Sequence, residues 1–327
     1  MPSLPFDAVV RAVRASRSVF ITVHQRPDGD ALGSQLALAI ALSRLGLRVH
    51  LANEDPVPAR YRFLPRSRLI RTGAAGLPPR FDLAFILECA TPARAGICGP
   101  VARRAKMLVN MDHHLGNRHY GDINLVDSTM PAEVIIAEEL RVRLGVPLTR
   151  EIATAFYVGL YTETGGFRYN NTTAGVLNLA ARLVAAGVNP KDVGEAVYER
   201  FPVRRLKLLG RALGTLEVRD GVAWMSLSRR DFAEAGATEV DSEDFVEYPR
   251  AVGGVKAAVF LRETPGGDVR ASLRAKARLP LNRIAQRFGG GGHAYAAGCT
   301  LDGATITEAR RRLAPALRAA ISGSRAR

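Results

Sequence analysis

The sequence is short of three things, and each shortage narrows what the protein does. Cysteine occurs three times in 327 residues, at Cys89, Cys98 and Cys299, with no CxxC pair. So few thiols, so far apart, exclude a disulfide framework and a structural zinc site, and they fit a reducing cytoplasm. No apolar run approaches the roughly 18 residues of a membrane span, so no membrane association is expected. The opening segment MPSLPFDAVVRAVRASRSVF carries Asp7 and scattered arginines where a secretory signal needs a continuous apolar stretch. It reads as an amphipathic helix of the mature chain. Lysine is the third shortage: only Lys106, Lys191, Lys207, Lys256 and Lys276 contribute to 46 basic residues, and the formal charge of +15 is carried almost wholly by arginine. That charge is compatible with a polyanionic substrate, but arginine beside so much Ala, Gly and Leu also follows from genome composition alone.

What is present suits a globular chain with two cores. Hydrophobic residues make up 47% and charged residues 24% of the sequence, and the length accommodates two ordinary domains. SVFITV (18–23), RVHLAN (48–53), LAFILE (83–88) and KMLVNM (106–111) read as strands. ALGSQLALAIALSRLG (31–46), PAEVIIAEELRVRLG (131–145, opened by Pro131) and ATAFYVGLYTETGG (153–166) read as helices. This alternation predicts an α/β fold: a mostly parallel sheet flanked by helices. Residues 189–218 read as a helical linker with a break at Pro202. GVAWMSLS, VKAAVFLRE and DVRASLRAK then give strands of a smaller α/β domain that ends in a helix. The expected boundaries are 1–188, 189–218 and 219–327.

Functional groups of a parallel sheet gather beyond the carboxyl ends of its strands. His24 follows VFITV, Glu88 ends LAFIL, and Asp112, His113 and His114 end MLVN. Asp82 stands at the opposite end of its strand and is the poorer candidate. The loop HQRPDGDALGS adds Asp28 and Asp30 around Gly29, ahead of a helix whose first amides face an anion. Taken alone PDGD is a surface turn; a histidine before it and a His–Asp cluster on a parallel strand favour a site. Carboxylates and imidazoles without thiolates suit Mn²⁺ or similar ions. The set His24, Asp28, Asp30, Glu88, His113 and Glu163 is large enough for two metals about 3.5–4 Å apart, as in phosphate-ester hydrolysis. His50 reads as a structural strand residue.

Three motifs in order, HxxPDxDAxGS at 24–34, DHH at 112–114 and GGGGHxxAAG at 289–298, resemble the DHH phosphoesterases with a DHHA1 C-terminal domain. Within that superfamily the two-domain layout is similar to the short-oligoribonuclease and pAp-phosphatase type. The resemblance implies two Mn²⁺ ions, with Mg²⁺ or Co²⁺ as alternatives. It assigns His24, Asp28 and a bridging carboxylate to one ion; Asp30, the same bridge, His113 and a fourth-motif carboxylate to the other. It also implies that Asp112 orients His113 and that His114 meets the scissile phosphate as donor or general acid. The family usually has Asp at the second and fourth motifs, where this chain has Glu88 and Glu163, each longer by a methylene. Ser272 and Arg274 resemble substrate-facing positions, with Arg94 and Arg168 as weaker candidates near the metal motifs. Gly290, Gly291 and Gly292, in a run that orders only at high entropic cost, are expected to form an anion-binding nest edged by His293. The implied substrates are very short RNA oligonucleotides and nucleotide bisphosphates such as 3′-phosphoadenosine 5′-phosphate, taken into a cleft between the domains; a homodimer is common in the family. The rivals are a RecJ-like exonuclease, a family II pyrophosphatase, a dinucleotide phosphodiesterase of the same superfamily, and a catalytically silent nucleotide-binding regulator.

Overall fold

The computed structural model describes residues 4–276, 279–292 and 295–323. The chain forms two compact units, Met1–Arg200 and Phe201–Arg327. After helix α1 (Phe6–Arg14), the first unit builds a sheet from β1 (Ser18–Thr22), β2 (Arg48–Asn53), β3 (Arg71–Thr72), β4 (Leu83–Leu87), β5 (Met107–Asp112) and β6 (Ile123–Val126). The strand order is 3-2-1-4-5-6, and every pairing is parallel. Strands β3 and β6 were not expected, being too short to carry an apolar run of their own. The other four match the sequence reading to within a residue or two.

Parallel strands buried on both faces must be apolar at every position, and β4 is buried throughout. On one face Val19, Ile21, Phe85, Leu87, Val109 and Met111 pack under α1, α2 (Gly29–Arg44), α4 (Glu133–Arg143) and α5 (Arg150–Glu163). On the other, Phe20, Ala84, Ile86 and Leu108 pack with Cys98 and Val101, the latter in the short helix α3 (Gly99–Ala102). Helix α4 begins at Glu133 with Ala132 as its cap, two residues beyond the Pro131 start expected.

Helix α2 is buried without interruption from Gly29 to Leu42, as its nearly all-apolar sequence requires. It lies so close to α5 that a Cβ on Gly33 would stand 2.5 Å from the Ala155 carbonyl oxygen and 3.2 Å from Gly159 Cα. Helices α6 (Ala174–Ala185) and α7 (Pro190–Tyr198) complete the unit.

The second unit opens with α8 (Val203–Gly214), capped by Pro202 where the break was expected. Its sheet comprises β7 (Glu217–Arg219), β8 (Val222–Leu227), β9 (Ala257–Glu263), β10 (Val269–Ala275), β11 (Gly291–Gly292) and β12 (Ala296–Leu301), in the order 11-12-10-9-8-7. Only β8 and β9 pair in parallel. One face holds Val259, Leu261 and Leu273 against α11 (Leu281–Gln286) and α12 (Ile306–Gly323). The other packs Met225 and Phe260 against α8, Phe245 and Ala235, the last in α9 (Arg229–Ala235), and α10 (Glu247–Ala251) precedes β9. Among the described residues no helix is long and apolar enough to cross a membrane.

The α2–α5 contact yields a stability prediction. Gly33→Ala forces backbone apart rather than a pliable side chain, so it is expected to destabilise the protein by about 1–3 kcal/mol. Urea unfolding measures this, and an unchanged midpoint would refute the close-packing account.

Candidate metal centre

The strand order reverses between β1 and β4, and the loops that leave these two strands carry His24 and Glu88. That is the switch point at which open α/β sheets bind ligands. The β1 exit is fixed by a buried amide pair. Gln35 Nε2 donates to Asn53 Oδ1 at 2.8 Å and to the Ile21 carbonyl at 3.0 Å, and the Val23 amide donates to the same Asn53 oxygen. His24 Nδ1 bonds the Gln25 carbonyl at 2.7 Å, and its Nε2 lies 3.7 Å from Asp28 Oδ2. Asp28 caps α2 by accepting the Ala31 amide. Asp30, in the first turn, is 1% exposed; its two oxygens accept the amides of Glu133 at 2.7 Å and Val134 at 3.0 Å.

Glu88 leaves β4 with φ of 59°, a left-handed conformation that costs a side-chain-bearing residue about 1–2 kcal/mol. Its amide donates to the Met111 carbonyl at 3.1 Å and to Glu133 Oε2 at 2.8 Å. The turn points its carboxylate toward the β5 exit: Oε1 is 3.3 Å from His113 Nε2 and Oε2 is 3.6 Å from His114 Nδ1. His113 Nδ1 bonds the Met130 carbonyl at 3.1 Å, and its Nε2 also lies 3.9 Å from Asp30 Oδ2.

The expected division of labour in DHH needs one correction. Asp112 does not orient His113. Its Oδ1 accepts from His114 Nδ1 at 2.7 Å and from the His114 amide, while Oδ2 accepts from Asn117 Nδ2 at 2.5 Å. β5 ends at Asp112, whose Oδ1 closes onto both the amide and the ring of His114 two residues on, whereas His113 takes a carbonyl as its anchor.

These bonds fix the imidazole tautomers. A carbonyl only accepts, so His24 and His113 each carry a proton on Nδ1, and each ring turns its Nε2 toward a carboxylate. An imidazole nitrogen so placed against an anion calls for positive charge there, its own proton or a bound metal ion. The acidic side has the same requirement. Burial, then Glu133, Asp30, Asp28 and Asp112, hold Glu88 well above the usual carboxylate range. Burial and the charge of Asp112 do likewise for Glu133, and burial raises Asp30 against the pull of His113. Glu88 Oε1 and Glu133 Oε1 are sealed from solvent without a hydrogen-bond partner. Two groups of three, Glu88–His113–His114 and Glu88–Asp112–Glu133, each bring ligand atoms within 4.8 Å of one another. The donor set therefore fits a divalent cation. Cys89, next in the chain, is no thiolate: burial pushes its thiol well up.

Glu133 was missed by sequence reasoning. The available signal was an acid in the otherwise apolar opening of α4, AEVIIA, on the face that must be buried. Glu163 ends α5 half-buried, with its carbonyl accepting from Asn171 Nδ2; it belongs to neither three-residue group. Arg168 Nε donates to the Gly165 carbonyl, and the Arg94 carbonyl accepts the Gln25 amide.

In the second unit, Ser272 and Arg274 share the half-buried face of β10. Arg274 Nε donates to Glu247 Oε1 at 3.0 Å, so a phosphate there must compete with a carboxylate. Of the glycines expected to form a nest, Gly290 already spends its amide inside the chain. The amides of Gly289 and Gly290 donate to carbonyls at the end of α11, and Gly291–Gly292 form an edge strand on β12. Close approach explains the glycines: a Cβ on Gly290 would stand 2.1 Å from the Gly298 oxygen, and one on Gly292 2.4 Å from the Ala296 oxygen. His293 lies outside the described residues.

A parallel α/β domain with this carboxylate–imidazole centre, followed by a mixed-sheet domain, defines a two-domain protein built to hold divalent metal at a topological switch point. The DHH family N-terminal domain matches residues 18–160 and the DHHA1 domain matches residues 222–322; the chain belongs to the DHH family and carries a C-terminal DHHA1 domain. It is 36% identical over 310 residues to the bifunctional oligoribonuclease and PAP phosphatase NrnA of Thermus thermophilus, covering 95% of this chain and 91% of that one. The protein of the same name from Bacillus subtilis is 24% identical, covering 90% and 92%. Among solved structures, an exopolyphosphatase-related protein from Bacteroides fragilis superposes with a TM-score of 0.89 at 26% identity, covering 95% of both chains.

The raised carboxylates make a pH prediction. A carboxyl group whose folded pKa is raised contributes stability below its unfolded pKa and loses it as pH rises through the folded value. In chelator, the stability of Glu88→Gln relative to wild type is therefore expected to grow between about pH 5 and pH 8. Urea unfolding at each pH measures it; a difference that stays flat or shrinks would contradict the crowded-carboxylate account.

Proposed function

We propose that the protein is a phosphoesterase that hydrolyses very short oligoribonucleotides to nucleoside monophosphates and 3′-phosphoadenosine 5′-phosphate to AMP, with Mn²⁺ as its metal. The observation that carries this reading is the pair of histidines held through Nδ1 on backbone carbonyls with Nε2 toward a carboxylate, Asp28 for His24 and the buried Glu88 for His113. The 36% identity to an NrnA across nearly the whole chain supports the substrate class. Three free, buried cysteines are in keeping with a reducing, cytoplasmic setting.

His24, Asp28, Asp30, Glu88 and His113 would hold the metal, with Glu163 as the remaining candidate at the end of α5. Bound divalent cations supply Lewis-acid stabilisation of charge on the phosphoryl oxygens and make water reactive at neutral pH. The chain itself supplies orientation and a proton. Anchored on backbone carbonyls, His24 and His113 need no rearrangement to present Nε2. His114 is the most accessible of the three imidazoles, its side chain 25% exposed against 6% for His24 and 9% for His113. Its Nδ1 is fixed on Asp112 Oδ1, which orients the ring so that its other nitrogen would deliver a proton to the departing oxygen. Asn117 bridges Asp112 Oδ2 and the Cys89 carbonyl, tying the β5 exit to the β4 exit. Ser272 and Arg274 are the substrate-side candidates of the second unit.

Steady-state hydrolysis of pAp and of a diribonucleotide with Mn²⁺ tests this directly, with Asp28→Ala as control. His114→Ala is expected to lower kcat by about 10²–10⁴-fold with a much smaller change in KM. Wild-type turnover no faster than Asp28→Ala on either substrate would reject the enzymatic reading.

A further inference from the structure

We infer that Glu133 is a further carboxylate of the cation-holding set and the residue that positions Glu88. The inference rests on the metal-dependent reading above. Glu133 is the first residue of α4 and has no solvent exposure. Three contacts tie it to the centre from different directions. Its main-chain N–H donates to Asp30 Oδ2 at 2.7 Å. Its Oε2 accepts the Glu88 amide at 2.8 Å. One of its carboxylate oxygens lies within 4.8 Å of oxygens of both Glu88 and Asp112.

An acid in the first turn of a helix is ordinarily explained by the helix dipole or by capping. That explanation does not cover Glu133. A capping acid accepts from the amides of its own helix, whereas Glu133 reaches across to the end of β4 and holds the amide of a residue in the left-handed conformation. Its remaining oxygen, Oε1, is sealed from solvent with no hydrogen-bond partner, and so is Glu88 Oε1. Among the described residues no lysine or arginine forms an ion pair with Glu88, Asp112 or Glu133; the only paired cationic candidates are His113 and His114. Burying carboxylate oxygens without donors or counter-charge is costly. A divalent cation beside Glu88 relieves the cost at both orphaned oxygens. The main chain of Glu133 meanwhile locates Asp30 as its side chain locates the Glu88 amide, so one residue sets the spacing between the two buried acids.

Glu133→Gln separates the two roles, because glutamine keeps an oxygen to accept the Glu88 amide but removes the charge; Glu133→Ala removes both. The full-length proteins are stripped with chelator, unfolded in urea, and titrated with Mn²⁺ by calorimetry. Glu133→Gln is expected to be at least as stable as wild type without metal, yet to bind Mn²⁺ roughly tenfold or more weakly. Glu133→Ala is expected to bind more weakly still. Equal Mn²⁺ affinity in wild type and Glu133→Gln would overturn the inference while leaving the metal-dependent reading intact. A wild type that takes up no Mn²⁺ would overturn both.

Discussion

Two backbone amides at the start of α4 make it possible to bury Asp30, and the rest of the centre is arranged around that carboxylate. A buried carboxylate is tolerated when donors satisfy it, and Asp30 receives one N–H on each oxygen, from Glu133 and Val134. Three helices have to meet to do this. Asp30 comes from the first turn of α2, the donors come from α4, and α5 closes the third side through Gly159. A Cβ on Gly159 would lie 2.5 Å from Val134 Cγ1 and 3.0 Å from Asp30 Oδ1. A helix N-terminus in an α/β protein often binds the phosphate of a ligand. Here the amides at the start of α4 bind an anion that belongs to the chain.

This arrangement explains what was legible in the sequence. The apolar runs of β1, β4 and β5 identify the strands, and strand ends identify His24, Glu88 and the DHH segment, because a parallel sheet delivers its exits to one rim. Glu133 was hidden by a different logic. Its side chain reaches the centre from the start of a helix, through a tertiary contact with β4, and no local pattern encodes which strand end a helix N-terminus will face. The partner of Asp112 was hidden for a similar reason: DHH gives the residues but not which of two neighbouring rings lies on the side of the acid. Asp112 closes onto His114, two residues on, and the carbonyl that holds His113 lies 17 residues further on, at Met130.

Four consecutive glycines demand a close backbone approach, and at Gly290 and Gly292 it is β12 that makes it. Gly290 and Gly292 are excluded from carrying side chains by the oxygens of Gly298 and Ala296, so the small residues of AAG and the glycine run are two halves of one contact. Arg274, likewise, is not a bare cation. Glu247 holds it through Oε1 and holds Arg250 through Oε2, which fixes the guanidinium.

The glutamate at position 88 is best understood from its backbone. In the left-handed conformation the chain turns sharply at the end of β4, and the amide is held at once by Met111 and by Glu133. Those two acceptors offset the conformational cost of about 1–2 kcal/mol. The side chain that leaves this turn has to reach two imidazoles on the neighbouring strand exit, those of the two residues after Asp112. It does so with one oxygen for each, 3.3 Å from His113 and 3.6 Å from His114. The additional methylene of glutamate supplies the reach to both rings, and the turn that aims it is anchored, through Glu133, on a helix that the DHH motif does not include.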